Sequence, residues 1–550
     1  MNFSSHKYRQ ENKKVLNEPF DLIVIGGGIT GAGIALDAIT RGLSVLVLEM
    51  QDFAAGTSSR STKLVHGGLR YLKNLEVRMV ADVGKEREIV YENGPHVTTP
   101  EWMMLPFYEL GTFGPYSTNI GLRVYDLLAG VKKSERRQML SPEETLEKEP
   151  LLKWEGLKGS GYYVEYKTDD ARLTLEVLKK AIEEGAVAFN YMKVEQFLYR
   201  DGQVIGVQAR DVIDDEVHDV YGHKLVNATG PWVDELRSKD HNKKEKHLFH
   251  TKGVHLVFDQ SVFPLQQAVY FDTPDGRMIF AIPRDGKTYV GTTDTAYEDD
   301  LANPTTNQED RTYLLSAIHE MFPNLKLLED DIESTWSGIR PLIHEEGKDP
   351  SEISRKDEIF ESDSGLISIA GGKLTGYRKM AEQIVDRVVR LIKKETGETY
   401  PKSKTKHLAI SGGDVGGSKG FNAFKAIAIK EGKDRGLSEN LMNRWIKRYG
   451  GNLKHVLDYY ESAPEDLQFD YAVYAELMYS LEHELVYRPV DFFVRRTGAM
   501  FFHIRYVEVN KNSVIDFMQD YFDWSDYEME FYQDELELAL RQAKEPTPQA

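Results

Sequence analysis

The chain has 550 residues, with 69 Lys and Arg against 88 Asp and Glu, a net charge of −19. That length allows two to four domains at ~100–200 residues each, and the acid excess argues against a nucleic-acid binder, which needs a basic surface to neutralise phosphates. There is no cysteine, so disulfides, thiolate metal sites and cysteine nucleophiles are excluded, and no resident metal is expected.

Residues 1–19 are polar and mixed in charge, and read as a tail with no secretory signal. Phe20 to Ile25 is a short apolar run that predicts a buried strand. A glycine cluster follows, then a helix over Ala32–Arg41 and a second buried strand over Leu43–Leu48. The longest uncharged apolar stretch, Leu22–Leu36, is short of the ~20 residues of a membrane-spanning helix. Residues 52–71 are rich in Ser, Thr and Gly and read as a long loop. Helices are predicted over 81–93, 172–185 and 375–394, and strands over 204–211, 224–229 and 366–370. Residues 249–295 alternate apolar segments with Gly and Pro breaks, the pattern of an antiparallel sheet. Residues 396–406 are lysine-rich and read as a linker to a charged helical domain over 407–550. Within that domain, residues 516–537 hold nine acidic and no basic side chains, a solvated face.

Gly26-Gly27-Gly28-Ile29-Thr30-Gly31 is a GxGxxG placed after a strand and at the start of a helix, and the next strand ends in Glu49. Each part has a physical task. Gly26 permits the turn, Gly28 lets backbone approach a pyrophosphate, and Gly31 lets helix and strand pack closely. The helix N-terminus offers free N–H groups, and Glu49 can accept from ribose hydroxyls. An ordinary βαβ unit would also use glycines for packing, and the motif serves NAD and FAD alike. Two further segments favour FAD. Val226–Trp232 is similar to the Ala-Thr-Gly segment near the adenine half of FAD in flavoproteins, with Ala228 and Gly230 at the cofactor. Gly371-Gly372 leads a helix whose N-terminus, in such proteins, faces the flavin pyrimidine ring.

Residues 56–72, GTSSRSTKLVHGGLRYL, resemble the signature of FAD-dependent glycerol-3-phosphate dehydrogenases. The segments at 170–173, 227–232, 251–255, 290–294, 338–342 and 371–375 follow in family order. The resemblance implies an α/β fold. A Rossmann-like FAD-binding part (about 20–95, 155–240 and 335–395) is interleaved with an antiparallel substrate part (about 96–154 and 241–334), as in D-amino-acid oxidases. A helical cap completes it. The implied reaction is oxidation of sn-glycerol 3-phosphate to dihydroxyacetone phosphate, with electrons passed through FAD to a membrane quinone. The family also implies a homodimer in the cytoplasm, peripheral on the inner face of the membrane.

The resemblance places Arg70 and Arg340 in the substrate pocket, where guanidinium groups hold phosphate oxygens bidentately. His255 is the candidate base for the C2 hydroxyl, since its ordinary pKa lies near neutrality; a strand histidine satisfied in the core is the competing reading. Tyr71 either hydrogen-bonds the substrate or packs beside it. Lys373 either stabilises negative charge on the flavin or polarises the substrate oxygen, and Thr375 is placed to donate there. His66 reads as structural or flavin-contacting. Ser58, Ser59, Ser61, Thr62 and Lys63 are expected along the FAD. For the membrane surface there are two candidates, the basic stretch 132–137 and the aromatic, arginine-bearing stretch 492–502; a basic loop and a packed core helix are their plainer readings. Three other functions compete. They are an oxidase of the same substrate, which tends to carry a mid-chain insertion, an amino-acid or amine oxidase, and a non-enzymatic flavoprotein.

Overall fold

Phe20–Ile25 is apolar on both faces, as a parallel strand covered by helices must be. In the computed structural model it lies inside a sheet of eight strands, and Leu22, Ile23 and Val24 are fully buried. The structure describes residues 4–66, 77–109, 111, 113–128, 135–240, 246–345, 357–371 and 373–548. Across this sheet the order is Glu358–Glu361, Ile367–Ala370, Val217–Asn227, Phe20–Ile25, Val45–Leu48 and Val187–Phe189. The central pairings are parallel, with Leu22 opposite Val45 on one side and Lys224 on the other. The hairpin Met192–Arg200 and Gln203–Asp211 extends from the outer half of Val217–Asn227. The helices Ile29–Thr40, Asp170–Glu183 and Tyr377–Thr396 cover one face, sharing a core of Ile34, Ala35, Leu178, Ala181, Ile384 and Val388.

The second sheet has ten strands and includes most of the part expected to take the substrate. Its long strands Lys246–Asp259 and Ile332–Glu345 pair antiparallel from Lys246 opposite Glu345 to Phe258 opposite Ile332. Thr98–Tyr108 pairs in the same way with Leu157–Thr168. These pairings move two expected boundaries. Residues 157–168 and 335–345 are expected in the nucleotide-binding part, yet both run in the second sheet. Alternation of apolar side chains predicts a strand but not its partner, and partners in this sheet lie far apart in sequence, as Met103 does from Ala268.

The polar tail is a correction. Ser5–Lys13 is a helix, followed by a 3-10 turn over Lys14–Asn17. Two buried apolar side chains, Tyr8 and Leu16, anchor it. The Tyr8 hydroxyl accepts from the Ala188 N–H at 3.0 Å, and Arg9 Nε donates to Asp211 Oδ2 at 3.0 Å. The expected linker is also anchored. Asn93 Nδ2 donates to the Thr405 carbonyl at 3.0 Å, Arg378 Nη1 donates to Thr405 Oγ1 at 3.2 Å, and Thr405 is buried.

Beyond residue 407 the described elements are helices. Trp445 and Tyr449 fill a local core. The last two long helices, Ile504–Phe522 and Asp526–Lys544, instead share a core with the substrate sheet, where Val514, Met518 and Leu536 join Tyr289 and Trp336. The cap is therefore fused to the catalytic body. This also corrects the membrane candidate at 492–502. Phe492, Phe493 and Arg496 are fully buried, and Arg495 and Arg496 are paired with Asp52. The stretch is amphipathic in composition but is a packed π-helix and turn inside the core. Among the described residues no helix is long and apolar enough to cross a membrane.

Candidate active site

The turn after the first strand is shaped by what its glycines lack. Gly26 has φ +111°, and a Cβ there would lie 2.6 Å from the Ala228 carbonyl oxygen. A Cβ on Gly31 would lie 1.9 Å from the Gly26 carbonyl oxygen, so only glycine lets the helix start this close to the strand. Gly28 stands at the N-cap, and the Ile29 N–H donates to Ser58 Oγ at 3.0 Å. Ser58 thus completes the first turn of this helix as well as facing the cavity. Glu49 is held in place by the N–H groups of Gly27 (2.7 Å) and Gln51 (2.9 Å), one on each carboxylate oxygen. Burial pushes its carboxyl above the usual range, opposed by those two donors.

A cavity of about 310 Å³ joins this turn to the substrate sheet. Gly26, Gly28, Glu49, Ser58, Ser61, Ala228, Gly230 and Gly371 line it, and so do His255, Arg340, Lys373 and Thr375. Residues more than three hundred positions apart meet here because the strands ending at Ile25, Asn227 and Ala370 are parallel neighbours, so their C-terminal turns share one edge. His66 also lines the cavity, where burial pushes its imidazole below the ordinary range. Gly31 acts behind the wall through packing. Ser59 is buried there, and Lys63 turns away to pair with Asp170 and the Ser59 carbonyl, with its ammonium 5.5 Å from the Trp336 ring. Neither lines the cavity as expected. Arg70, Tyr71 and Gly372 lie outside the described residues.

His255 sits on the strand Lys246–Asp259 and stacks on Trp336, centroids 4.6 Å apart and planes 9° from parallel. Its Nε2 lies 3.0 Å from Thr62 Oγ1, and among the described residues its Nδ1 has no partner. Gly291 makes room for the ring, since a Cβ there would lie 2.2 Å from it. Burial, with Arg340 and Lys63 nearby, pushes the imidazole well below its ordinary pKa, so it is neutral at physiological pH. Arg340 crosses the next strand. Its Nη1 donates to the Thr293 carbonyl at 3.0 Å, and its Nη2 to Thr292 Oγ1 at 2.9 Å. A Cβ on Gly253 would lie 2.5 Å from that guanidinium, so Gly253 makes its path possible. The Thr375 hydroxyl donates to the His66 carbonyl at 3.1 Å, tying the second glycine turn to the Ser-rich loop.

Sequence reasoning passed over Arg60 and Trp336. Arg60 lines the cavity, and burial, with the Arg495 cation nearby, pushes it down to about 10. A cation inside the GTSSRSTK run was the available signal. Trp336, two residues before the Gly338 motif, carried none, because its stacking on His255 follows from register.

The glycine cradle, the oriented Glu49 carboxylate and the buried hydroxyl loop fit a flavin dinucleotide. Gly31→Ala is expected to lower the FAD carried by the purified protein at least about tenfold in affinity, or ~1.4 kcal/mol, read as the ratio of flavin to protein absorbance. An unchanged ratio would overturn the packing argument.

Two family models match, "FAD dependent oxidoreductase" over residues 21–378 and "C-terminal domain of alpha-glycerophosphate oxidase" over 403–529. An aerobic glycerol-3-phosphate dehydrogenase of Bacillus subtilis (strain 168) is 60% identical over 100% of this chain and 99% of its own length. One from Staphylococcus aureus (strain bovine RF122 / ET3-1) is 57% identical, over 99% and 98%. The crystal structure of the glycerol-3-phosphate dehydrogenase from Bacillus halodurans, complexed with FAD, superposes with a TM-score of 0.86 at 49% identity, covering 100% of both chains. With that agreement over both the nucleotide-binding body and the helical domain, the chain belongs to the FAD-dependent oxidoreductases and, within them, to the aerobic glycerol-3-phosphate dehydrogenase family.

Proposed function

We propose that the protein oxidises sn-glycerol 3-phosphate to dihydroxyacetone phosphate and passes the electrons to a membrane quinone. The observation that carries the reading is the convergence of a neutral buried histidine, an arginine and a lysine on the cavity that the glycine turns line. Bound FAD supplies the two-electron acceptor to which the C2 hydrogen leaves as hydride. The chain's residues do the rest. Arg340, with Arg70 from the matching motif, holds the phosphate dianion. With Thr62 Oγ1 as acceptor, His255 carries its proton on Nε2 and keeps the Nδ1 lone pair, which takes the proton of the C2 hydroxyl as the carbonyl forms. Lys373 neutralises charge developing beside it. Thr375 completes the polar lining, and the matching motif offers Tyr71 as a further substrate contact.

Reaction with a quinone requires contact with a bilayer, so we place the protein in the cytoplasm, peripheral on the inner face of the membrane, as a homodimer. Arg136 and Arg137 support the basic candidate surface. Arg137 donates to Asn119 Oδ1 at 3.0 Å, on the helix Pro115–Leu128, whose Tyr116 and Ile120 are exposed. Lys132 and Lys133 lie outside the described residues.

The test is an anaerobic absorption spectrum before and after adding sn-glycerol 3-phosphate. The flavin band is expected to bleach, and to recolour faster with quinone in vesicles than with air. Faster recolouring in air would make the protein an oxidase. A flavin that stays oxidised would sink the substrate assignment.

A further inference from the structure

A second cavity, of about 630 Å³, lies between the substrate sheet, the helix Asp170–Glu183 and the C-terminal helices. Its walls run against the charge of the chain. Lys167, Arg172 and Arg284 face it from the catalytic body, and Lys425, Arg444, Lys447 and Arg448 face it from the helical domain, against only Asp169 and Asp285 as lining carboxylates. Arg172 and Arg448 are neutralised from behind by Glu484, Glu176 and Glu476. Lys167 is paired with Glu101 at 2.8 Å, and Arg284 donates to the Thr168 carbonyl at 2.9 Å. Other ion pairs are longer. Arg284 reaches Asp169 at 3.3 Å, Lys447 reaches Asp285 at 3.3 Å, and Arg444 reaches Glu476 at 3.5 Å. Lys425 makes no ion pair among the described residues, and it is half-buried.

The cavity also holds orphaned polar atoms. His96, which lines it, is 1% exposed, and neither ring nitrogen has a partner among the described residues. Arg444 Nε and Asn443 Oδ1 are likewise buried without partners among them. Buried polar atoms without partners are uncommon in folded proteins and call for a ligand, an ion or water. Burial and the cations around them push His96 down to about 3 and His503 to about 4, so both rings are neutral and the cavity's positive potential is set by Arg and Lys alone.

We propose that this cavity is an anion site separate from the active site, and that it takes a small, multiply charged phosphate compound bridging the catalytic body and the helical domain. Guanidinium forks from both sides suit phosphate oxygens, and the volume exceeds that of a single phosphate. Occupancy would bear on the flavin loop through adjacent residues. Asp169 lines the anion cavity, while Asp170 pairs with Lys63 and accepts from Ser61 N at 2.9 Å.

The experiment is calorimetric titration of inorganic pyrophosphate into holoenzyme, in wild type and in three variants. Arg340→Ala removes the active-site phosphate clamp and is expected to leave this binding intact. Arg444→Glu with Lys447→Glu is expected to weaken it at least about tenfold per cation reversed. Arg444→Gln with Lys447→Gln is expected to fall between, and an unchanged flavin spectrum shows that each variant is folded. Absence of binding, loss of binding in Arg340→Ala, or equal binding in wild type and the double Glu variant would each overturn the proposal. Displacement of pyrophosphate by phosphatidylglycerol vesicles would assign the phosphate to a lipid headgroup, and no displacement to a soluble compound; both outcomes support the site.

Discussion

Replacing His255 by alanine is expected to slow anaerobic flavin reduction by sn-glycerol 3-phosphate by about 10²–10⁴-fold, the contribution of a positioned general base, with little change in substrate affinity. The base must be neutral to accept the C2 hydroxyl proton. An exposed imidazole, with a pKa of about 6.5, is partly protonated at neutral pH. His255 is buried beside Arg340 and Lys63, and both effects depress its pKa. Protonation therefore begins below the ordinary range. The wild-type rate is expected to be level from neutral pH upward and to fall only as the pH drops below about 6.5. In His255→Ala that acid limb should vanish, leaving a low and flatter profile. Thr62→Val removes the 3.0 Å partner of Nε2, and with it the group that orients the imidazole. Its expected effect is smaller than that of His255→Ala and is confined to the rate. Near-normal reduction in His255→Ala at every pH would remove the residue from the chemistry and leave it as a packing partner of Trp336.

The local parts of the site were legible in the sequence, and the long-range parts were not. Gly26, Gly31 and Glu49 belong to one strand–turn–helix–strand unit whose geometry is set within thirty residues, and the structure shows their steric reasons. His255 and Arg340 were reachable only through motif resemblance. They meet because Thr251 lies opposite Arg340 and His255 opposite Trp336 in the pairing of two long strands, a register no local pattern encodes. The same limit explains the misplaced boundaries at 157–168 and 335–345. The N-terminal helix was missed because two anchoring side chains, Tyr8 and Leu16, are too few to make a periodic signal. The stretch 492–502 misled for a different reason. Aromatics beside arginines read alike in an interfacial helix and in a core whose arginines have buried partners, and the partner, Asp52, lies more than four hundred residues away.

That partnership gives the largest expected stability effect. Asp52 follows the second strand of the nucleotide-binding sheet and is buried with two arginines of the helical domain. Arg496 reaches it with Nη1 at 2.6 Å and Nη2 at 2.9 Å, Arg495 donates through Nε, and Asn190 Nδ2 donates at 3.1 Å. Asp52→Ala leaves two buried cations, Arg495 with Asp491 and Arg496 with Glu484 at 3.8 Å as the remaining carboxylates, a change of about 3–5 kcal/mol for breaking a buried charge network. Asp52→Asn keeps the shape and one acceptor and is expected to lose less. The midpoint of urea unfolding should fall for both, in that order, followed by tryptophan fluorescence and, separately, by flavin release. Flavin release should shift at least as far, because Asp52 immediately precedes the loop over the cofactor cavity. The two arginines hold the Asp52 carboxyl below the usual carboxylate range against the opposing effect of burial. Its contribution is therefore fully present above an unfolded-state pKa of about 3.9 and is lost as the pH falls through the depressed folded value. The gap between wild type and Asp52→Ala should be constant from about pH 5 upward and narrow in stronger acid. A gap that instead closed near neutrality would place the stabilisation in another group, and equal unfolding midpoints at pH 7 would mean that water reaches Arg495 and Arg496 once the carboxylate is gone.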